Sequence, residues 1–164
     1  MKIPIDAINK RSPYLVEEAG ENSFLFTTKH GVLYTVGFVE DYSFMEEGVY
    51  QFFISNMEKK IAPVDDDIMQ TVSVIIEEFF AQGDQVMLYI CDTMDGRQAI
   101  RDRLFKMWFH TYAQNTAYTL YSEQLKLDNI WYFASIMLHK NHPLHNQIIG
   151  AFHDFVRDFP EKFN

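Results

Sequence analysis

Residues 65–91 read DDDIMQTVSVIIEEFFAQGDQVMLYIC, and this stretch decides the fold class. Within it Ile68, Val72, Ile75, Ile76, Phe79 and Phe80 recur at a spacing of about 3.6, which gives a helix one apolar face. Asp65, Asp66 and Asp67 suit the positive N-terminal end of that helix, Pro63 precedes them, and Gly83 supplies the stop. Val86 to Cys91 is then an uninterrupted apolar run, as expected of a strand covered on both faces. Upstream the period is two. Phe24–Thr28 and Val32–Val39 alternate about a turn at Lys29-His30-Gly31, and Val49–Ser55 adds a third strand after Glu46-Glu47-Gly48. Downstream, a second helix is expected from about Arg97 to Tyr112, then strands at Ala117–Ser122 and Ile130–Leu138 joined by the polar residues 123–129. A last helix begins at Pro143 and carries Leu144, Ile148, Phe152, Phe155, Val156 and Phe159 inward. The order is βββαβαββα: an α+β protein with an antiparallel or mixed sheet of six or seven strands and three helices. No repeat, low-complexity tract or linker interrupts it, so residues 1–164 read as one domain with an N-terminal arm at 1–13.

Size and composition agree with that reading. A chain of 164 residues buries about 70% of its unfolded surface and needs neither disulfides nor a structural metal. Its 15 Phe, 9 Tyr and 2 Trp exclude a disordered chain. A formal net charge of −9 repels phosphate backbones and anionic lipid, so neither nucleic acid nor a membrane surface is expected as a partner. The acidity is uneven along the sequence: residues 1–82 hold 14 acidic and 6 basic side chains, residues 83–164 hold 9 and 8. Cys91 is the single cysteine, and Asp6, Asn9, Lys10 and Arg11 interrupt any signal-peptide core, so a cytoplasmic protein is expected. The longest nearly apolar run, 130–138, is about half the length of a bilayer span.

The second helix carries the most chemistry. At about 100° per residue, Ile100, Leu104, Met107, Trp108 and Tyr112 share an apolar arc that also includes Arg97 and Arg101, with Phe105 at its margin, while Arg103, Lys106 and His110 face solvent. Guanidinium groups on a core-facing stripe need partners. Asp92 and Asp95 stand in the turn just before the helix, where a bidentate Arg–Asp contact can form. Two readings follow. The pair locks strand to helix, or Asp92, Asp95, Arg97, Arg101 and Trp108 line a cleft that holds an anionic ligand.

Other candidates are blander. His139, His142 and His145 straddle a strand end, a proline and a helix start, so no regular element aligns them for metal, and no metal-ligand spacing supports them. Cys91 ends the most apolar strand with no histidine near it in sequence, which argues against a nucleophile. No P-loop, GxGxxG, GxSxG or SxxK pattern occurs, and no cofactor is expected. Twenty-six aromatics exceed a comfortable core. Tyr118, Tyr121, Trp131 and Phe109 are left on second faces, and a homodimer or protein-partner contact is expected through them.

Two resemblances rest on these residues. Phe24-Leu25-Phe26-Thr27-Thr28 with Gly31 and Tyr34, then Cys91-Asp92-Thr93-Met94-Asp95-Gly96-Arg97-Gln98, Arg101, Arg103-Leu104-Phe105, Trp108-Phe109 and Asn141-His142-Pro143 resemble a small family of Bacteroidetes-type bacteria known only as a domain of unknown function. That likeness covers most of the chain from about residue 14 and implies no activity. The order βββαβαββ is also similar to the core of GNAT-type N-acyltransferases, in which the loop from the third of these strands into the next helix cradles the pyrophosphate of coenzyme A. Those enzymes place a Gln or Arg and a glycine-rich loop there. Residues 56–67 of this chain, NMEKKIAPVDDD, have no glycine and put three carboxylates where the anion would dock. The expected function is a non-enzymatic intracellular binding or interaction protein. A divergent acyl-CoA-dependent transferase and a small-anion sensor using Arg97 and Arg101 are the alternatives.

Overall fold

The computed structural model describes residues 1–112 and 117–159. Its elements, in chain order, are α1 (Ile5–Asn9), β1 (Glu17–Gly20), β2 (Ser23–Thr27), β3 (Leu33–Glu40), β4 (Val49–Asn56), α2 (Asp66–Phe80), β5 (Val86–Ile90), α3 (Gln98–Tyr112), β6 (Tyr118–Leu127), β7 (Ile130–His139) and α4 (His145–Arg157). The strands form one seven-stranded mixed sheet in the order β1-β2-β3-β4-β5-β7-β6. The class is α+β, as the sequence implied, with one more helix than expected and the seventh strand present. The additions are α1, inside the arm, and β1, whose four residues are all exposed and pair with β2. Among the described residues no helix is long and apolar enough to cross a membrane.

Two compact units can be described separately. The first comprises residues 1–39 and 52–85. Its β2–β3 hairpin closes at Gly31, which adopts a φ of +75°. Phe24, Phe26, Val36, Phe38 and Phe52 are buried, as are Val72, Ile75, Ile76 and Phe79 of α2, and the Phe38 and Phe79 rings stack 4.2 Å apart. Helix α2 starts as its sequence demands: Asp65 accepts a hydrogen bond from the Asp67 N–H at 3.0 Å. The arm packs through Ile3 and Ile8, and Arg11 reaches Glu77 at 2.6 Å and Glu78 at 2.9 Å. Gly37 lies under the Phe53 ring, so closely that a Cβ would stand 2.5 Å from it.

The second unit comprises residues 40–51 and 86–164. The first residues of β4 run parallel to β5, aligning Val49 with Val86 and Gln51 with Leu88, whereas β7 is antiparallel to both β5 and β6. Strand β6 continues to Leu127, so most of the polar stretch expected as a connection is strand, and the turn is only Asp128-Asn129. Both turn residues have positive φ, 52° and 66°, as a two-residue hairpin of the right twist requires. Val49, Val86, Leu88, Ile136, Leu138, Ile148 and Phe152 form a buried cluster between sheet and α4. On the opposite face Tyr89 meets Phe105 of α3, ring centroids 4.5 Å apart.

Helix α3 corrects the expected orientation. It buries Asp102, Phe105, Trp108 and Phe109, and it exposes Ile100, Leu104 and Met107. The side chain of Tyr112, expected on the same stripe, lies outside the described residues. The aromatic side chains hold more apolar surface than the aliphatic ones, so burying Phe105, Trp108 and Phe109 decides the rotation. Phe109, expected as a second-face aromatic, is therefore core, whereas Trp131 is exposed with the Lys126 Nζ 5.8 Å from its ring centre.

Phe79 is the sharpest test of the first unit's packing. Phe79→Ala is expected to cost about 3–5 kcal/mol, read as a lowered urea midpoint. An unchanged midpoint would contradict the stacked Phe38–Phe79 core.

Candidate functional site

Residues 41–48 connect β3 to β4, and their conformation follows from local hydrogen bonding. The Asp41 N–H donates to the Val49 carbonyl at 2.9 Å, the Asp41 carboxylate accepts from the Ser43 N–H at 2.9 Å, and Gly48 takes a φ of +84°. The loop therefore closes on itself and projects Phe44 and Met45 onto α4. The Phe44 ring meets Phe152 edge-on at 5.5 Å and lies 5.9 Å from Phe155. Tyr42 donates its hydroxyl to Glu40, and that hydrogen bond raises the Tyr42 pKa.

Between this loop and α4 runs an open groove of about 1090 Å³. Helix α4 turns two faces to its surroundings: Ile148 and Phe152 enter the core, while Leu144, Gln147, Ala151, Asp154, Phe155 and Asp158 face the groove at helical spacing. The apolar lining is Phe44, Met45, Leu144, Ala151 and Phe155, and four carboxylates, Glu46, Glu47, Asp154 and Asp158, surround it. No basic side chain among the described residues lines it. Arg157 pairs with Asp154 at 3.1 Å and Asp158 at 3.4 Å, but Arg157 and Asp154 are exposed and Asp158 only half-buried, and such pairs bind weakly. An apolar floor under an acidic rim can receive a cation carried on an apolar body. It opposes an anion.

The residues singled out from sequence lie elsewhere, at the start of α3. Arg101 donates to both Asp95 oxygens, at 2.7 and 2.6 Å, and to the Asp92 carbonyl at 3.0 Å. Asp95 also accepts from the Arg97 N–H at 3.1 Å. The Arg101 guanidinium, with that N–H, holds the Asp95 carboxyl far below the ordinary range. Asp92 caps its own turn by accepting from the Met94 N–H at 2.9 Å. Asp92, Asp95 and Arg101 are thus together, the Arg97 side chain is exposed, and Trp108 is buried beside Phe105, 5.5 Å between ring centres. The fork takes the Nη1–Nη2 edge of the guanidinium, and Nη1 donates to the Asp92 carbonyl as well, so an anion cannot use that edge.

The other candidates also have partners. Cys91 is buried, and desolvation with the nearby Asp102 charge pushes its thiol up to about 12, which suppresses the thiolate. His145 Nε2 lies 3.0 Å from the Thr119 hydroxyl, His142 Nδ1 accepts from the Leu144 N–H at 3.0 Å, and His139 meets the Tyr118 ring. Among the described residues no three His, Cys, Asp or Glu side chains converge as a metal site. A Tyr121–Glu123–His153 cluster, unforeseen from sequence, spans β6 and α4: Glu123 Oε1 is 2.6 Å from both the tyrosine hydroxyl and His153 Nδ1. Burial works against the Glu123 carboxylate, but these two hydrogen bonds outweigh it and hold its pKa below the ordinary value.

Sequence reasoning missed the groove because its halves lie about a hundred residues apart. The available signal was Phe44-Met45, two large apolar residues inside a connection that needs neither.

The class defined by this architecture is an α+β sheet protein with an acidic, apolar-floored groove. Within that class the chain belongs to DUF6169, a family of unknown function, whose model matches residues 64–154, more than half of the chain. The matched region runs from the start of α2 into α4. It includes the Asp95–Arg101 fork and the α4 wall of the groove as far as Asp154, but neither Phe155 and Asp158 nor the loop of Phe44 and Met45. No curated protein and no solved structure matches the chain.

The fork has a pH signature. Its stabilisation is present above the ordinary carboxylate pKa, near 3.9, and is lost as Asp95 is protonated at lower pH. Arg101→Leu is therefore expected to lower the melting temperature by a few degrees at pH 7, with the deficit fading below about pH 4. A deficit that persists unchanged at pH 2 would mean that the fork is not its source.

Proposed function

We propose that this protein is a non-enzymatic binding module whose α4–loop groove receives a cationic, apolar-studded segment of a protein partner. The observation that carries the reading is the groove lining itself: Phe44, Met45, Leu144 and Phe155 below, Glu46, Glu47, Asp154 and Asp158 around. Apolar anchors supply affinity when they fill such a floor, and the carboxylates select charge and speed encounter. The single cysteine, free and buried, is at home in a reducing compartment, which supports an intracellular setting.

The probe is a labelled amphipathic peptide of about four helical turns, with Leu at helical spacing and Lys on its flanks, followed by fluorescence anisotropy. Binding is expected, weaker at high salt and weaker by about tenfold or more in the Glu46→Lys/Glu47→Lys double variant. Equal binding of a Glu-flanked counterpart, or binding indifferent to the charge reversal, would overturn the reading.

A second reading, a divergent GNAT-like acyltransferase, is favoured by one observation: β2 through β7 follow the order βββαβαββ. Against it, residues 57–65 contain no glycine, and the first N–H groups of α2 face carboxylates, Asp65 already accepting from Asp67. Acetyl-CoA separates the two. The binding-module reading expects no thermal shift, and a saturable rise in melting temperature would overturn it, because a ligand that binds only the native state stabilises it.

A further inference from the structure

The groove has a counterpart on the same chain. Helix α3 turns outward Ile100, Leu104 and Met107, which are 37%, 54% and 60% exposed, at the i, i+4, i+7 spacing of a docking face. Arg97 flanks this stripe on one side and Arg103 and His110 on the other, all exposed. Asp102, the one acidic residue of α3, is only 6% exposed on the inward side and is paired with Lys106 at 2.9 Å. The outward face of α3 is therefore apolar with cationic flanks, the inverse of the groove, which is apolar with anionic flanks.

Two geometric facts bear on who docks with whom. α3 and α4 cover opposite faces of the β5–β7–β6 sheet: Phe105 of α3 packs on Tyr89, while Ile148 and Phe152 of α4 pack with Val86 and Leu88. A chain therefore cannot place its own α3 in its own groove. The lengths also match. α3 has 15 residues and α4 has 13, about 22 and 20 Å at 1.5 Å per residue, so one helix can lie along the other for its full run.

We infer that the occupant of the groove is the outward face of α3 from a second copy of this chain. This rests on the groove being a site for cationic amphipathic segments, and it names the segment. Leu104 and Met107 enter over Phe44 and Phe155, and Arg97 and Arg103 meet the rim carboxylates. The contact is heterologous, joining two different surfaces, so each copy keeps one face and one groove open. Assembly then proceeds head to tail, to a ring if the rotation closes and to a filament if it does not.

Head-to-tail association has a test that a two-fold dimer fails. Leu104→Glu destroys the face and leaves the groove, and Glu46→Lys/Glu47→Lys reverses the groove rim and leaves the face. All three positions are at the surface, and circular dichroism melts check that each variant is folded. In sedimentation equilibrium the wild type is expected to associate with rising concentration, each variant alone to weaken association by about tenfold or more, and the equimolar mixture to form a capped 1:1 pair at wild-type strength. Variants that remain monomeric when mixed overturn the inference in favour of a two-fold contact, and undiminished association of either variant overturns it as well. A wild type that is monomeric throughout yet binds the Lys-flanked peptide overturns the second copy as occupant and leaves the groove reading standing. A wild type that neither associates nor binds the peptide overturns both.

Discussion

The parallel alignment of Val49, Tyr50 and Gln51 with Val86, Met87 and Leu88 is the constraint on which the other elements depend. Parallel neighbours cannot be joined by a tight turn; the chain has to travel back the length of the strand, and a helix is the compact way to do so. α2 makes that return, which is why residues 68–80 carry so regular an apolar stripe. The chain leaves β5 through α3 on one face of the sheet and comes back through the β6–β7 hairpin, and β7, not β6, takes the place beside β5. That choice leaves β6 at the edge. Glu123, Gln124 and Lys126 are tolerated in it for that reason, and charge on an edge strand discourages further pairing. It also leaves the far face of β5 and β7 for α4, whose second face then forms a wall of the groove.

Much of this was legible because periodicity is a local property. The hairpin of Phe26 and Val36, the stripe from Ile68 to Phe80 and the run from Val86 to Ile90 each announce their element within a few residues. β1 was not legible, since Glu17-Glu18-Ala19-Gly20 has no apolar alternation and becomes a strand only by pairing with Phe24 and Leu25 of β2. The rotation of α3 was not legible either. Ile100, Leu104 and Met107 make one apolar arc and Phe105, Trp108 and Phe109 another, so the sequence offers two candidate faces. What separates them is the shape of the surface beneath, where Tyr89 accepts an aromatic ring and the Asp102–Lys106 pair can be satisfied. The Arg101–Asp95 contact could be anticipated because both partners lie within six residues, while its bidentate use of the Nη1–Nη2 edge is a matter of geometry alone.

Charge shows how folding redistributes what the sequence counts. By halves of the chain the acidic surplus is eight before residue 83 and one after it. The units are not the halves. Glu40, Asp41, Glu46 and Glu47 precede residue 83 yet belong to the second unit, and Asp84 follows it yet belongs to the first. Counted by unit, 11 acidic and 6 basic side chains fall in the first and 12 and 8 in the second, so the surplus is five and four. The second half looks almost neutral because the loop carboxylates that join it in space, Glu40, Asp41, Glu46 and Glu47, are numbered in the first.

That regrouping turns a weak average into two opposed surfaces. A unit with four excess negative charges would by its mean field repel a second copy, and over distances beyond about 8–10 Å in physiological salt that repulsion is screened. At contact the local pattern governs. The four carboxylates lie on one side of the sheet, and Arg97, Arg103 and His110 lie on the other, across the layer formed by β5, β7 and β6. Nothing about net charge or composition implies that polarity. It follows from α3 packing its aromatics inward and so turning its cationic side outward, and from an eight-residue connection bringing Glu46 and Glu47 beside a helix a hundred residues further along.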